Sequence, residues 1–136
     1  MSGSILDERG VSALAEQLAA ELPTGSVLWL EGELGAGKTT FARAFIRART
    51  GSGGGTSPTY GLVHRHAGPR GDTLHLDCYR LRAPEDAADL DWEGAAEADI
   101  LLIEWPDRAG SWAPPPDRRV QLHHQGEDTR RIEVLS

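Results

Sequence analysis

The chain has a single lysine, Lys38, and it lies in the octapeptide Gly32-Glu33-Leu34-Gly35-Ala36-Gly37-Lys38-Thr39. This octapeptide fits the phosphate-binding pattern G-x-x-x-x-G-K-[ST]. Glycines let successive backbone N–H groups point into one concavity, and a helix that begins there adds the positive end of its dipole. Lys38 can then reach the β- and γ-phosphates of a nucleotide, and the Thr39 hydroxyl can ligate Mg²⁺.

The segments on either side of the octapeptide are those that this motif requires. The apolar run Val27 to Leu30 is typical of a buried parallel strand. The residues that follow the loop are apolar at helical spacing, which predicts a helix over 38–49. A glycine-rich turn next to a lysine can also arise by chance, but the order strand, loop, helix favours a site for a nucleoside triphosphate.

Two carboxylates are candidates for the opposite side of such a site. Glu104 directly follows the apolar run Ile100 to Ile103, and Asp77 lies near the end of a predicted strand, 73–79. Ligands of parallel sheets bind at the carboxyl ends of the strands, so both acids are placed to hold Mg²⁺ or to orient the attacking group. The alternative for each is a charged residue that only marks the end of a buried strand.

Other residues near these motifs are open to two interpretations. Trp105 can stack near a nucleotide or pack in the core. Thr59, after the glycine-rich segment 51–55, can sense the γ-phosphate or simply belong to a Ser-Pro-Thr turn. His64 and His66 are expected in a polar loop and form no metal site with a cysteine.

Composition limits the class of protein. With 136 residues, 39% of them hydrophobic, the chain has the size of one domain with one core, 1–136. The net charge of −7 argues against strong direct binding of nucleic acid. No run approaches the roughly 20 apolar residues of a membrane span, and no secretory signal precedes the first helix. Since Cys78 is the single cysteine, a buried thiol in the reducing cytoplasm is expected.

Hydrophobic periodicity predicts the remaining elements. The first helix covers 11–22 and is stopped by Pro23. Residues 73–79 alternate as a half-buried strand, and Pro84 opens an acidic helix with a solvated face or a docking surface for a basic partner. The further predicted strands are 60–63, 100–103, 120–124 and 131–135, and the last two form a hairpin around Gly126.

Absent motifs narrow the choice among nucleotide-binding proteins. An Asn-Lys-x-Asp motif for guanine cannot exist here because Lys38 is the single lysine. The Leu-Ser-Gly-Gly-Gln signature of transporter ATPases is also missing. The chain offers little room for the lid and the second substrate pocket of a typical small-molecule kinase.

Four motifs together resemble one specific family. GELGAGKTT at 32–40, SPTY at 57–60, LDCYRL at 76–81 and IEWP at 103–106 have the order and spacing of the TsaE family, the bacterial ATPases of tRNA threonylcarbamoyladenosine synthesis. The resemblance implies an α/β fold: a single-domain P-loop NTPase with a mixed sheet, parallel in the centre and antiparallel at its flanks.

The resemblance also implies functional residues and partners. The phosphates of ATP or ADP would contact Gly35, Ala36, Gly37, Lys38, Thr39 and Thr40. Thr39 and Glu104 would bind Mg²⁺, and Asp77 would assist the metal or the water. Thr59 would belong to a switch region, and Gly126 would lie near the nucleotide base. TsaB and TsaD would be the protein partners.

Three functions follow from these observations. The first is an ATPase, weak by itself because no arginine is obviously placed to complete the site; Arg43, Arg80 and Arg108 are the nearby candidates. The second is a small-molecule kinase, and the third is a nucleotide-sensing module without turnover.

Overall fold

The computed structural model describes residues 4–33, 36–51, 63–69, 71–90 and 92–135. Within these ranges the chain forms three α-helices, α1 (Glu8–Glu21), α2 (Lys38–Thr50) and α3 (Trp92–Glu97), and two 3₁₀ segments, Pro84–Asp89 and Pro106–Trp112. The seven strands of these ranges are β1 (Ser4–Leu6), β2 (Ser26–Gly32), β3 (Val63–His66), β4 (Thr73–Asp77), β5 (Ile100–Glu104), β6 (Arg118–His124) and β7 (Arg130–Leu135).

The strands form one mixed sheet in the order β1-β7-β6-β2-β5-β4-β3. The four inner strands β6, β2, β5 and β4 are parallel to one another, whereas β7 and β3 pair antiparallel with β6 and β4, and β1 pairs antiparallel with β7. Because β2, β4 and β5 run in the same direction, their carboxyl ends meet at one edge of the sheet. The predicted fold class, a mixed sheet with a parallel centre and antiparallel flanks, is confirmed.

Helices α1 and α2 cover one face of the sheet. Asp7 caps α1 by accepting a hydrogen bond from the N–H of Gly10 (2.9 Å), and the chain leaves the helix before Pro23. The apolar stripes of both helices pack on alternate residues of β2, β5 and β6, among them Leu30 and Leu102. This packing fixes the first turn of α2 against the carboxyl edge of the sheet.

The opposite face is covered by short helical pieces and not by one long helix. The acidic helix expected from Pro84 is divided into a 3₁₀ segment that ends at Asp89 and the separate helix α3. The 3₁₀ segment and α3 each bury one residue against the sheet, Ala87 and Ala95, and Trp92 is partly buried beside them. So little burial does not sustain a continuous amphipathic helix, because most of the stability of a helix in a protein comes from packing of its apolar face.

Two expectations about the edge of the sheet are wrong. His64 and His66 lie on β3 and not in a loop, because β3 pairs antiparallel with β4. Strand β4 ends at Asp77, before the predicted residue 79, and is buried on both faces: His75 is only 3% exposed, although the alternation placed it outside. His75 is buried because β3 pairs with the outer edge of β4 and both faces of β4 are covered. The alternation within β4 does not show whether a face is covered.

Cys78 is completely buried just after β4. Burial, followed by the nearby carboxylates Asp77, Asp107 and Glu104, raises the pKa of the thiol to about 12. A thiol that stays protonated is a poor nucleophile, so the interpretation of Cys78 as a buried structural residue is confirmed. In the part of the chain that the structure describes, no helix has the length and apolar character needed to cross a membrane.

Candidate functional site

The loop between β2 and α2 places the start of a helix at the carboxyl edge of the sheet. Gly37 caps α2 with φ 103°, a left-handed conformation that side chains with a Cβ rarely adopt, and no side chain caps the helix. The first N–H groups of α2 therefore have no partner supplied by a cap and are suited to bind an anion. Ala36 is buried before this turn, and the predicted site residue Gly35 lies outside the described residues.

Lys38 is held under this loop. Only 5% of the residue is exposed, and its Nζ donates hydrogen bonds to the carbonyl oxygens of Gly32 (2.5 Å) and Glu33 (2.7 Å). Burial lowers the pKa of the amine, while the carboxylates of Glu104, Asp77 and Glu33 oppose that shift. The amine thus lies between the loop and two acids, where a polyphosphate chain would meet a preorganised cation.

One pocket brings most of the predicted residues together. Gly37, Lys38, Thr39 and Thr40 line it from the start of α2, and Asp77, Glu104 and Trp105 line it from the ends of β4 and β5. These residues come from three segments far apart in sequence. Their convergence at the carboxyl edge of a parallel sheet is the arrangement expected of a nucleotide site.

Asp77 and Glu104 are direct neighbours in the register of β4 and β5. Glu104 is 6% exposed, and Asp77 is half-buried with Oδ1 accepting a hydrogen bond from the N–H of Tyr79 (3.1 Å). Burial and then the charge of Glu104 raise the pKa of Asp77. Two carboxylates therefore face one pocket at an electrostatic cost that a bound cation would relieve.

The donor set of this pocket fits Mg²⁺. Carboxylate and hydroxyl oxygens are the ligands that this ion prefers, and it keeps the rest of its shell for water and phosphate oxygens. Asp77, Glu104 and Thr39 supply such oxygens. Among the described residues no cluster of three or more His, Cys, Asp or Glu side chains forms a cage made of protein alone.

The raised pKa of Asp77 has a consequence for stability. Because the pKa is higher in the folded than in the unfolded chain, ionised Asp77 destabilises the ligand-free fold at neutral pH, and this penalty disappears as the pH falls below that pKa. We expect Asp77→Asn to raise the thermal midpoint of the ligand-free protein by about 2–5 °C at neutral pH, with a smaller difference in mildly acidic buffer. Circular dichroism melts in a chelator measure this, and a lower midpoint for the variant would contradict it.

Trp105 follows Glu104 in a left-handed conformation (φ 55°), which is rare for a bulky residue and turns the chain into the second 3₁₀ segment. Its ring centroid lies 4.3 Å from Lys38 Nζ and 5.0 Å from the ring centroid of Tyr79. Arg108 lies over both rings and donates from Nη1 to the Tyr79 carbonyl (2.9 Å). Trp105 is thus a wall of the pocket, held by aromatic and cation–π contacts; stacking on a nucleotide stays a prediction.

Two residues of the site were missed by sequence reasoning. Arg130, at the start of β7, lines the pocket of Lys38, whereas Arg43 and Arg80 are exposed outside it. His75 Nε2 lies within hydrogen-bond distance of Glu104 Oε2 (2.6 Å) in the buried interior. The signal for His75 was its position two residues before Asp77, on the same face of β4. No local sequence signal marks Arg130, because it reaches the pocket of Lys38 only through the antiparallel pairing of β7 with β6.

The turn between β6 and β7 lies beside a neighbouring pocket. Glu127 and Asp128 of this turn line it together with Asp7 and Glu8 at the start of α1. Gly126 has φ 80° in the same turn and does not line that pocket, so its role near a base stays a prediction. The predicted switch residue Thr59 lies outside the described residues.

Comparisons with known proteins agree with this arrangement. The family model for "Threonylcarbamoyl adenosine biosynthesis protein TsaE" matches residues 5–132. The tRNA threonylcarbamoyladenosine biosynthesis protein TsaE of Rickettsia felis is 32% identical over 96% of this chain and 77% of its own length, and that of Aquifex aeolicus is 31% identical over 93% and 90%. The crystal structure of Bacillus subtilis YdiB aligns with a TM-score of 0.73 and 25% identity over 97% of this chain and 85% of that one.

The family match covers nearly the whole chain, including the loop around Lys38 and the strand ends that carry Asp77 and Glu104. On this ground, the chain belongs to the TsaE family.

Proposed function

We propose that this protein binds Mg–ATP and hydrolyses it in support of tRNA threonylcarbamoyladenosine biosynthesis. The observation that carries the proposal is the single pocket in which Lys38, Thr39, Asp77 and Glu104 meet at the start of α2. A buried cation, a hydroxyl and two carboxylates around a helix start are the groups that phosphoryl transfer requires.

Each residue has a distinct part in the proposed reaction. The N–H groups at the start of α2 bind the phosphates, and Lys38 exchanges its bonds to the Gly32 and Glu33 carbonyls for the β- and γ-phosphate oxygens. Thr39 and Glu104 hold Mg²⁺, which neutralises charge on the phosphates when bound. Asp77 assists the metal or orients the attacking water. Trp105 forms a wall of the pocket beside Lys38.

The biological role is proposed from the relatives. The matched proteins of Rickettsia felis and Aquifex aeolicus are named for tRNA threonylcarbamoyladenosine biosynthesis. We propose that this chain acts in the same pathway in the cytoplasm. It is the ATPase subunit, made of a single P-loop domain, and it assembles with TsaB and TsaD. Its net charge of −7 fits a subunit that leaves the binding of tRNA to its partners.

Release of phosphate from Mg–ATP tests the proposal. The chain is assayed alone and then with the TsaB and TsaD proteins of the same organism. Stimulation by the pair is the expected result. A phosphorylated metabolite in place of free phosphate would support a small-molecule kinase, and tight binding of ATP without any release would support a nucleotide-sensing module.

We propose that Arg130, from this same chain, is the arginine that completes the nucleotide site. Its Nη1 donates to the Thr129 carbonyl (2.9 Å), whereas its buried Nε has no hydrogen-bond partner among the residues that the structure describes. The side chain lies beside Gly37 and lines the pocket of Lys38. A guanidinium with an unsatisfied donor next to the helix start is suited to a phosphate oxygen.

Arg130→Gln is therefore expected to weaken ATP binding by about 10-fold, the value of one hydrogen bond to a charged group. The matched control is Arg131→Gln, because Arg131 is exposed and forms an ion pair with Glu133 on the adjacent surface. Isothermal titration calorimetry of both variants measures the difference. Equal affinities for the two variants would show that Arg130 does not contact the nucleotide.

A further inference from the structure

Glu104 has a buried partner that the proposed reaction does not use. His75 Nε2 lies 2.6 Å from Glu104 Oε2, and the two side chains are only 4% and 8% exposed. An ionised carboxylate can only accept hydrogen bonds, so the imidazole N–H is the donor. This is a short, solvent-excluded hydrogen bond to the acid that ends β5.

The sheet itself fixes this contact. His75 and Asp77 lie on the same face of β4, and Asp77 is the register neighbour of Glu104 on β5. His75 is also flanked by Leu102 of β5 and His64 of β3 in the register, so its backbone is held on both sides. The imidazole therefore approaches Glu104 from the interior of the sheet, while the pocket lies beyond the strand ends.

We infer that His75 is a positioning residue, which holds the carboxylate of Glu104 in the orientation that binds the Mg²⁺ of the nucleotide complex. This inference rests on the proposed Mg–nucleotide site. With Oε2 bonded to His75, the carboxylate loses rotational freedom before the metal arrives, so less entropy is lost on binding. Hydrogen-bond partners of metal ligands change metal affinity by about 10- to 100-fold when they are removed.

A partner that only satisfies a buried acid would have a different effect. Its loss would lower the free energy of unfolding and would weaken nucleotide binding equally with and without metal. A positioning residue instead changes the affinity for the metal and leaves metal-free nucleotide binding unchanged. Metal affinity therefore separates the two roles, independently of hydrolysis.

The side-chain geometry offers a matched pair of variants. The amide nitrogen of glutamine can replace Nε2 of histidine, whereas that of asparagine falls at the position of Nδ1 and does not reach Glu104. His75→Gln is expected to retain Mn²⁺ affinity close to that of the wild type. His75→Asn and His75→Leu are expected to lose about 10-fold.

The experiment titrates Mn²⁺ into each full-length variant with saturating ADP and measures free Mn²⁺ by electron paramagnetic resonance. Binding of ADP in EDTA and the chemical unfolding midpoint are measured in parallel. If His75→Leu fails to fold, the comparison of the Gln and Asn variants still decides, because both keep a polar amide in the strand.

Rescue by Gln but not by Asn, with equal ADP affinity in EDTA, supports the inference. Equal Mn²⁺ affinity in all variants overturns it while leaving the proposed function intact. A wild-type protein that binds ADP no more tightly with Mn²⁺ than without it overturns the proposed function, and the inference falls with it.

Discussion

Replacing Lys38 with alanine is expected to lower phosphate release from Mg–ATP by about 100- to 1,000-fold, the usual effect of removing one preorganised donor from a transition state. The amine is buried under the loop, 4.3 Å from the Trp105 ring centroid, and faces the acids Asp77 and Glu104. Since Lys38 is the single lysine of the chain, no neighbouring ammonium can take its place.

The same substitution should have little effect on folding. Burial lowers the pKa of Lys38, which shows that its charge is costly in the folded state. Removing the amine relieves this cost but leaves the Gly32 and Glu33 carbonyls without their donor. The two effects oppose each other, so we expect a thermal midpoint near that of the wild type.

The matched control for Lys38→Ala is Arg47→Ala, because Arg47 is an exposed cation in the last turn of the same helix. Phosphate release, ATP affinity and ADP affinity are measured for both variants. The Lys38 variant should lose affinity for both nucleotides, with the larger loss for ATP because the amine reaches the γ-phosphate, and the Arg47 variant should bind both like the wild type. An unchanged ATP affinity after Lys38→Ala would show that the nucleotide binds elsewhere.

Glu104→Gln is expected to lower Mg²⁺-dependent hydrolysis by about 100-fold or more, since the stabilisation of charge through a metal contributes several kcal/mol. Glutamine keeps the size of the side chain, and its carbonyl oxygen can still accept the hydrogen bond from His75. The substitution therefore removes the negative charge and leaves the packing at the end of β5 in place.

Metal-free binding should respond in the opposite direction. Glu104 and Asp77 together repel the polyphosphate, so ATP affinity in EDTA is expected to stay equal or to rise in Glu104→Gln. Calorimetry with Mg²⁺ and with EDTA, alongside phosphate release, separates the two effects. Glu97→Gln is the control, because Glu97 is exposed at the end of α3, just before β5 begins, and does not line the pocket at the other end of that strand. Normal hydrolysis by the Glu104 variant would remove Glu104 from the proposed metal site.

Elements that depend on local chemistry were predictable from the sequence. The helix after the glycine-rich octapeptide, the apolar strand before Glu104 and the terminal hairpin all occur where periodicity and turn residues placed them. In each case the neighbouring residues carry the signal: glycines at φ above zero, an unbroken apolar run, or alternation on both sides of a turn. The family resemblance predicted the mixed character of the sheet, which the strand order confirms.

Elements that depend on distant partners were not predictable in this way. The alternation in β4 placed His75 outside, because a strand's own sequence shows which residues share a face and not whether that face is covered. Pairing with β3 and the cover from helices bury both faces of β4. The acidic helix expected from Pro84 is divided for a similar reason, since Pro84 marks where a helix can begin and the packing decides where it ends.

Residue types and their spacing along the chain are enough to identify the chemical groups of the site: the loop that can bind phosphate, the single lysine, and acids at two strand ends. The further side chains that meet those groups are visible only in the folded chain, His75 beside Glu104 and Arg130 beside Gly37. A motif predicts contacts within one turn or at one strand end, because residues that are close in sequence there are also close in the structure. Contacts between strands separated by tens of residues depend on register and strand order, which form only when the whole sheet folds.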